Sequence, residues 1–66
     1  MPSTVIQSYE YSPALQMLDI TFTSGVRYQY LEVPPFTVER FKRAFSKGQF
    51  FSKHIRPVYR FQRVHD

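Results

Sequence analysis

Two runs of alternating residues separated by a single Ser-Gly step are what most narrow the folds open to this chain. Leu18, Ile20 and Phe22 alternate with Asp19, Thr21 and Thr23, the period-two pattern of a strand with one buried face. Ser24-Gly25 then supplies a residue free to take positive φ, and Val26 to Val33 follows at once, so the two runs are expected to pair as a hairpin. In the second run Val26, Tyr28 and Tyr30 fall on one face and Arg27, Gln29 and Leu31 on the other, with Leu31 interrupting an otherwise polar side.

The flanking segments extend this unit. Residues 4–11, β-branched and aromatic and closed by Ser12-Pro13, read as a preceding strand and turn. Pro34-Pro35 ends the third strand, because proline cannot donate to a ladder, and proline is well placed to open a helix. That helix is expected over residues 35–46, with Val38, Phe41 and Phe45 inward, Arg40, Arg43 and Lys47 outward, Glu39 in its first turn, Arg43 in its last, and Gly48 as a left-handed C-cap. Residues 49–57 show no clear period and read as a loop with room for a helical turn. Val58 to Val64 alternates weakly as a last strand, with Val58, Arg60, Gln62 and Val64 opposed to Tyr59, Phe61 and Arg63 and the inward set left open. The expected fold class is α+β: a small antiparallel sheet, a three-stranded meander plus a C-terminal strand, packed by one amphipathic helix.

At 66 residues the chain has room for one domain, residues 1–66, and with no cysteine it has neither a disulfide nor a thiolate metal site to hold it together. Apolar burial must do so, and seven Phe and five Tyr supply large area from few residues. Neither a signal-peptide pattern nor an apolar stretch of membrane-spanning length occurs, so a cytoplasmic protein away from membranes is expected.

Charge divides along the chain. Residues 1–39 hold Arg27 against Glu10, Asp19, Glu32 and Glu39, a net of −3, whereas residues 40–66 hold eight cations against Asp66 alone, a net of +7. That asymmetry favours RNA or another polyanion as partner. The residues expected to make such a surface are Tyr28 and Tyr30 as stacking rings, with Arg40, Arg43, Lys47, Lys53, His54, Arg56, Arg60 and Arg63 on phosphate. The structural alternative for the tyrosines is that they extend the inward apolar face and pack under the helix. An alternative partner is a protein, held by an exposed aromatic patch of Phe50, Phe51 and Tyr59; a helical turn there would instead draw the two Phe into the core.

Other chemistries have less to stand on. Ser46-Lys47-Gly48 is not part of a phosphate-binding loop string and follows a helix rather than preceding one, so it reads as a helix end. His54 and His65 are the only histidines and lack companions for a metal, so neither metal nor cofactor is expected. Lys53, His54, Arg56 and Tyr59 are residue types that a metal-independent ribonuclease uses, but they suit plain phosphate contact equally. With no triad or carboxylate dyad beside them, a non-catalytic binding module is expected.

Three ordered strings, Leu18-x-Ile20-x-Phe22-x-Ser24-Gly25, Tyr28-x-Tyr30-x-x-Val33-Pro34 and Ser46-Lys47-Gly48-x-Phe50-Phe51-x-x-His54-Ile55-Arg56, resemble the KTSC domain family from about Ile6 to Val64. Pro35 and Phe51 are its minor departures from the family pattern. The family occurs at the C-terminus of some lysyl-tRNA synthetases and as short bacterial and phage proteins. That association implies an RNA-binding appendage without fixing any chemistry.

Overall fold

Gly25 adopts φ +95°, and around it the Phe22 amide donates to the Val26 carbonyl at 2.9 Å while the Gly25 amide donates to Phe22 at 2.8 Å. This is a three-residue hairpin loop whose last position requires the left-handed region that glycine enters freely. It joins β2 (Met17–Phe22) to β3 (Arg27–Tyr30), and a second hairpin joins β1 (Ile6–Ser12) to β2. The computed structural model describes residues 6–64, so the part of the expected first strand at residues 4 and 5, and His65, lie outside the described residues. Helices α1 (Pro35–Arg43) and α2 (Lys47–Phe50) follow, α2 running into a π-helical turn at Phe51–Ile55, and β4 (Phe61–Val64) closes the order. The sheet is antiparallel throughout, in the order β1-β2-β3-β4.

Register decides which side chains face the helices. Tyr9 lies opposite Ile20, Tyr11 opposite Leu18, Ile20 opposite Tyr28, Leu18 opposite Tyr30, Tyr28 opposite Arg63 and Tyr30 opposite Phe61. Directly opposed residues share a face, so these form one side, and the helical layer packs onto it. Its closest ring contacts are edge-on: Tyr9 on Phe41 at 4.9 Å, Tyr30 on Phe51 at 5.2 Å and Phe22 on Phe51 at 5.5 Å. The buried core is Leu18, Ile20, Tyr30, Val33, Val38, Phe41, Phe51 and Ile55.

The opposite face is polar and open. Arg27 holds Asp19 through two bonds of 3.1 and 3.4 Å, Gln29 Nε2 donates to Asp19 Oδ2 at 3.4 Å, and Gln62 Nε2 donates to Gln29 Oε1 at 2.7 Å. A hydrogen-bonded chain thus crosses three strands, from β4 to β2.

The helical layer departs from expectation at four points. The helix expected over 35–46 stops at Arg43, because Ala44 turns extended at ψ 137°. Phe45, expected in the apolar stripe, is therefore fully exposed. Gly48 is not a C-cap: it lies inside α2, whose N-cap is Ser46, with Oγ accepting from the Gln49 amide at 3.3 Å. Ser46-Lys47-Gly48 thus begins a helix instead of ending one. Glu39 sits beyond the first turn of α1 and pairs with Lys42 at 3.6 Å, an exposed contact of little energetic weight. Lys47 Nζ donates to the Lys42 carbonyl at 3.2 Å, placing a cation at the C-terminal end of α1.

Strands are shorter than their patterns. β3 ends at Tyr30 because Glu32 takes φ +56°, and Gln16 takes φ +52° in the β1–β2 loop; the Gln16 carbonyl accepts the Val33 amide at 2.8 Å, tying the two bends together. Tyr11 Oη donates to the Val33 carbonyl at 2.7 Å and anchors the same junction. Val58 and Tyr59 belong to the turn after the π-helical segment, their amides both on the Ile55 carbonyl, so β4 starts only at Phe61.

Candidate functional site

Tyr30 is 2% exposed, which removes it from any stacking role. Burial pushes its hydroxyl pKa up to about 12; the nearby Arg56 cation pulls against that and Tyr28 adds slightly to it. Tyr28 is half-buried, edge-on to Phe22 at 5.8 Å, Tyr30 at 6.4 Å and Phe61 at 5.0 Å. The two tyrosines therefore belong first to the inward face, and only Tyr28 reaches the surface.

The aromatic patch expected from Phe50, Phe51 and Tyr59 does not form as an exposed surface. Helical backbone carries both Phe residues, and Phe51 is 2% exposed in the core. Phe50 is half-buried between the Arg40 guanidinium, 5.5 Å from its ring centre, and the His54 ring at 4.7 Å. Tyr59 is half-buried, with its hydroxyl 3.0 Å from Thr37 Oγ1.

The cations divide among several elements. Arg40 and Arg43 lie on α1, Lys47 is drawn back to α1, and Lys53 and His54 are exposed on the π-helical turn. Arg60 and Arg63 are on opposite sides of the sheet: Arg63 shares the inner face with Tyr28, while the Arg60 carbonyl receives the Leu31 amide and its side chain falls on the open face. The catalytic residue types noted in the sequence are engaged apart, His54 on Phe50 and Tyr59 on Thr37. Among the described residues no group of three His or acidic side chains could hold a metal, and no helix is long and apolar enough to cross a membrane.

What the fold does assemble is a smaller site at the β4 rim. Phe61 stands on the inner face of this edge strand, beyond the helical cover, and is 53% exposed. Tyr28 and Tyr30 support it at 5.0 and 5.4 Å, Arg63 is two residues along on the same face, and Arg56 lies near the Tyr30 hydroxyl. Sequence reasoning missed Phe61. The signal was present in the alternation of Tyr59, Phe61 and Arg63, but nothing in it distinguished a ring supported from below and open above from an ordinary inward ring.

A four-stranded antiparallel meander carrying one helical layer on one face and leaving the other open places this protein among small α+β domains. Its family is narrower: the KTSC domain model matches residues 2–59, and the chain belongs to that family. A crystal structure of a KTSC domain protein from Yersinia pestis superposes with a TM-score of 0.85 at 35% identity, covering 98% of this chain and 94% of that one. An uncharacterized protein of Stutzerimonas stutzeri is 35% identical over 65 residues, covering 97% of this chain and 92% of its own. A lysine–tRNA ligase of Nostoc punctiforme is 39% identical over 61 residues, which is 92% of this chain but 11% of the ligase, so the chain spans about a tenth of that enzyme's length.

Proposed function

We propose that this KTSC domain is a non-catalytic module that binds single-stranded RNA weakly at the β4 rim. The observation that carries the reading is Phe61, half exposed, braced edge-on by Tyr28 and with Arg63 two residues along on the same face. A braced ring with an open side offers a platform for an unpaired base, and the Arg63 guanidinium meets the phosphate that follows. A duplex, whose bases are already stacked, gains nothing from the ring. The net charge of +7 over residues 40–66 supplies the longer-range attraction. The similarity to a segment of lysine–tRNA ligases, enzymes that by name act on an RNA, supports the same partner class.

The test is fluorescence anisotropy with labelled single-stranded RNA, hairpin RNA and duplex DNA at two salt concentrations. Single-stranded RNA binds best, and affinity falls as salt rises. Phe61→Ala weakens it roughly tenfold with an unchanged salt slope, since one stacked base is worth about 1–3 kcal/mol. Arg63→Ala lowers the slope by about 0.7, the loss of one phosphate contact. No binding at low salt, or equal loss for duplex and single strand on Phe61→Ala, would reject the reading.

A further inference from the structure

The geometry points to a second interaction at the same strand, one that rests on edge geometry alone and does not need the RNA reading: two copies of this chain pair β4 to β4 across a two-fold axis through Gln62.

The backbone gives the first reason. The Leu31 amide bonds to the Arg60 carbonyl, so residues 60, 62 and 64 of β4 direct their backbone groups to β3. Phe61 and Arg63 consequently direct theirs away from the sheet, and β4 is an edge strand. Four backbone groups per copy, two amides and two carbonyls, are presented in register for an antiparallel neighbour. The other edge is less suited, since β1 carries a register irregularity between Ile6 and Ser8 that breaks its line of donors and acceptors.

Side chains then choose the partner and the register. With Gln62 opposite its own symmetry mate, Phe61 of each copy faces Arg63 of the other, and four backbone hydrogen bonds close between them. Each guanidinium meets a half-exposed ring rather than a second guanidinium. Shifting the strands to set Arg63 against Arg63 opposes like charges. On the open face, Gln62 Nε2 uses one hydrogen on Gln29 Oε1 and retains the other, together with its Oε1. Two such amides across the axis satisfy each other, and the chain from Asp19 through Gln29 to Gln62 continues into its mirror sequence in the second copy. Another protein has no reason to end in the same half of this pattern; a second copy does so by symmetry. On the inner face both Phe61 rings and both Arg63 cations then line one trough between the two helical layers.

A strand of four residues buries little surface, so the dimer is weak, dissociating on the order of hundreds of micromolar. Both copies carry +4, and association strengthens as salt rises, opposite in sign to binding a polyanion.

The experiment is done without nucleic acid. Sedimentation velocity of the intact chain from micromolar to millimolar concentration shows a monomer–dimer equilibrium that shifts toward dimer with salt. The chain has no cysteine, so Gln62→Cys introduces a single thiol at the axis, where a non-hydrogen-bonded pair brings the Cα atoms to about 4.5 Å, within the disulfide range of about 4.4–6.8 Å. Under mild oxidation it cross-links on the order of tenfold faster than Ser8→Cys on the opposite edge strand. Arg63→Pro, which removes an outward amide, abolishes dimerisation, and Arg63→Ala, which keeps it, weakens dimerisation only a few-fold. A strictly monomeric protein at millimolar concentration, equal cross-linking of the two thiol variants, or equal dimerisation of the Arg63 variants would overturn the pairing.

Discussion

Replacing Tyr30 by Phe tests the central claim about the inner face, that burial of this residue disfavours ionisation of its hydroxyl. Tyr30 is 2% exposed, between the rings of Phe51 at 5.2 Å and Phe61 at 5.4 Å, and its pKa is pushed up to about 12 from an ordinary value of 10.0, chiefly by burial. A folded pKa above the unfolded one means that the neutral hydroxyl's contribution is complete below about pH 10 and is lost as pH rises toward 12. At roughly 1.36 kcal/mol per unit, the two-unit gap amounts to a few kcal/mol at full ionisation. At pH 11 the unfolded tyrosine is largely ionised and the folded one largely neutral, and the loss is on the order of 1 kcal/mol. Urea denaturation followed by circular dichroism, for wild type and Tyr30→Phe at intervals from pH 8 to pH 11, isolates this group, because the other tyrosines and the lysines titrate in both proteins and cancel. The stability difference between the two moves by on the order of 1 kcal/mol in favour of the Phe variant over that interval. A difference that stays constant would mean that the ionised oxygen is as well solvated in the folded protein as in the unfolded chain. A shift of opposite sign would mean that Arg56, not burial, dominates its surroundings.

Two further perturbations test the packing and the hairpin. Phe51→Ala removes the ring that Phe22 and Tyr30 both pack against and costs about 3–5 kcal/mol, enough in a domain this small to leave thermal unfolding by circular dichroism barely cooperative at physiological temperature. Gly25→Ala costs about 1–2 kcal/mol in chemical denaturation even though the added methyl would meet nothing within 4 Å, because φ +95° alone disfavours an L side chain; an unchanged stability would show that the loop relaxes to another turn.

The sheet was legible because its signals are local. Alternation at Leu18, Ile20 and Phe22, with glycine at the turn, specifies both the hairpin and its buried face, and Leu18 and Ile20 are fully buried as that pattern requires. The helical layer was less legible. Phe45 continues a helical stripe in sequence, yet a single extended residue at Ala44 takes it out of the helix, and no periodicity registers a one-residue break. Ser46 was read as part of the end of that helix, but once Ala44 has broken it the Ser46 side chain accepts from the Gln49 amide and caps the next one. The basic residues of the second half were legible as a charge excess but not as a surface, since Arg60, just before β4, and Arg63 within it lie three apart along extended backbone and so project to opposite sides. Phe61 escaped notice for a related reason: its exposure follows from β4 being at the edge of the sheet, and strand order is not written in β4 itself.

The order of the strands also divides β3 against itself. Its amides alternate in direction, with Tyr28 and Tyr30 turned toward β2, a neighbour reached through a three-residue loop, and Arg27 and Gln29 turned toward β4, which is reached only through the whole helical segment. Closing the first contact costs little chain entropy and closing the second costs much more, so the β1–β3 meander is free to form early while β4 waits for the helices to dock. In the folded protein the same hierarchy runs in reverse: β4 can detach while the meander stays intact, and neighbouring amides on one short strand thereby belong to two separate units of opening.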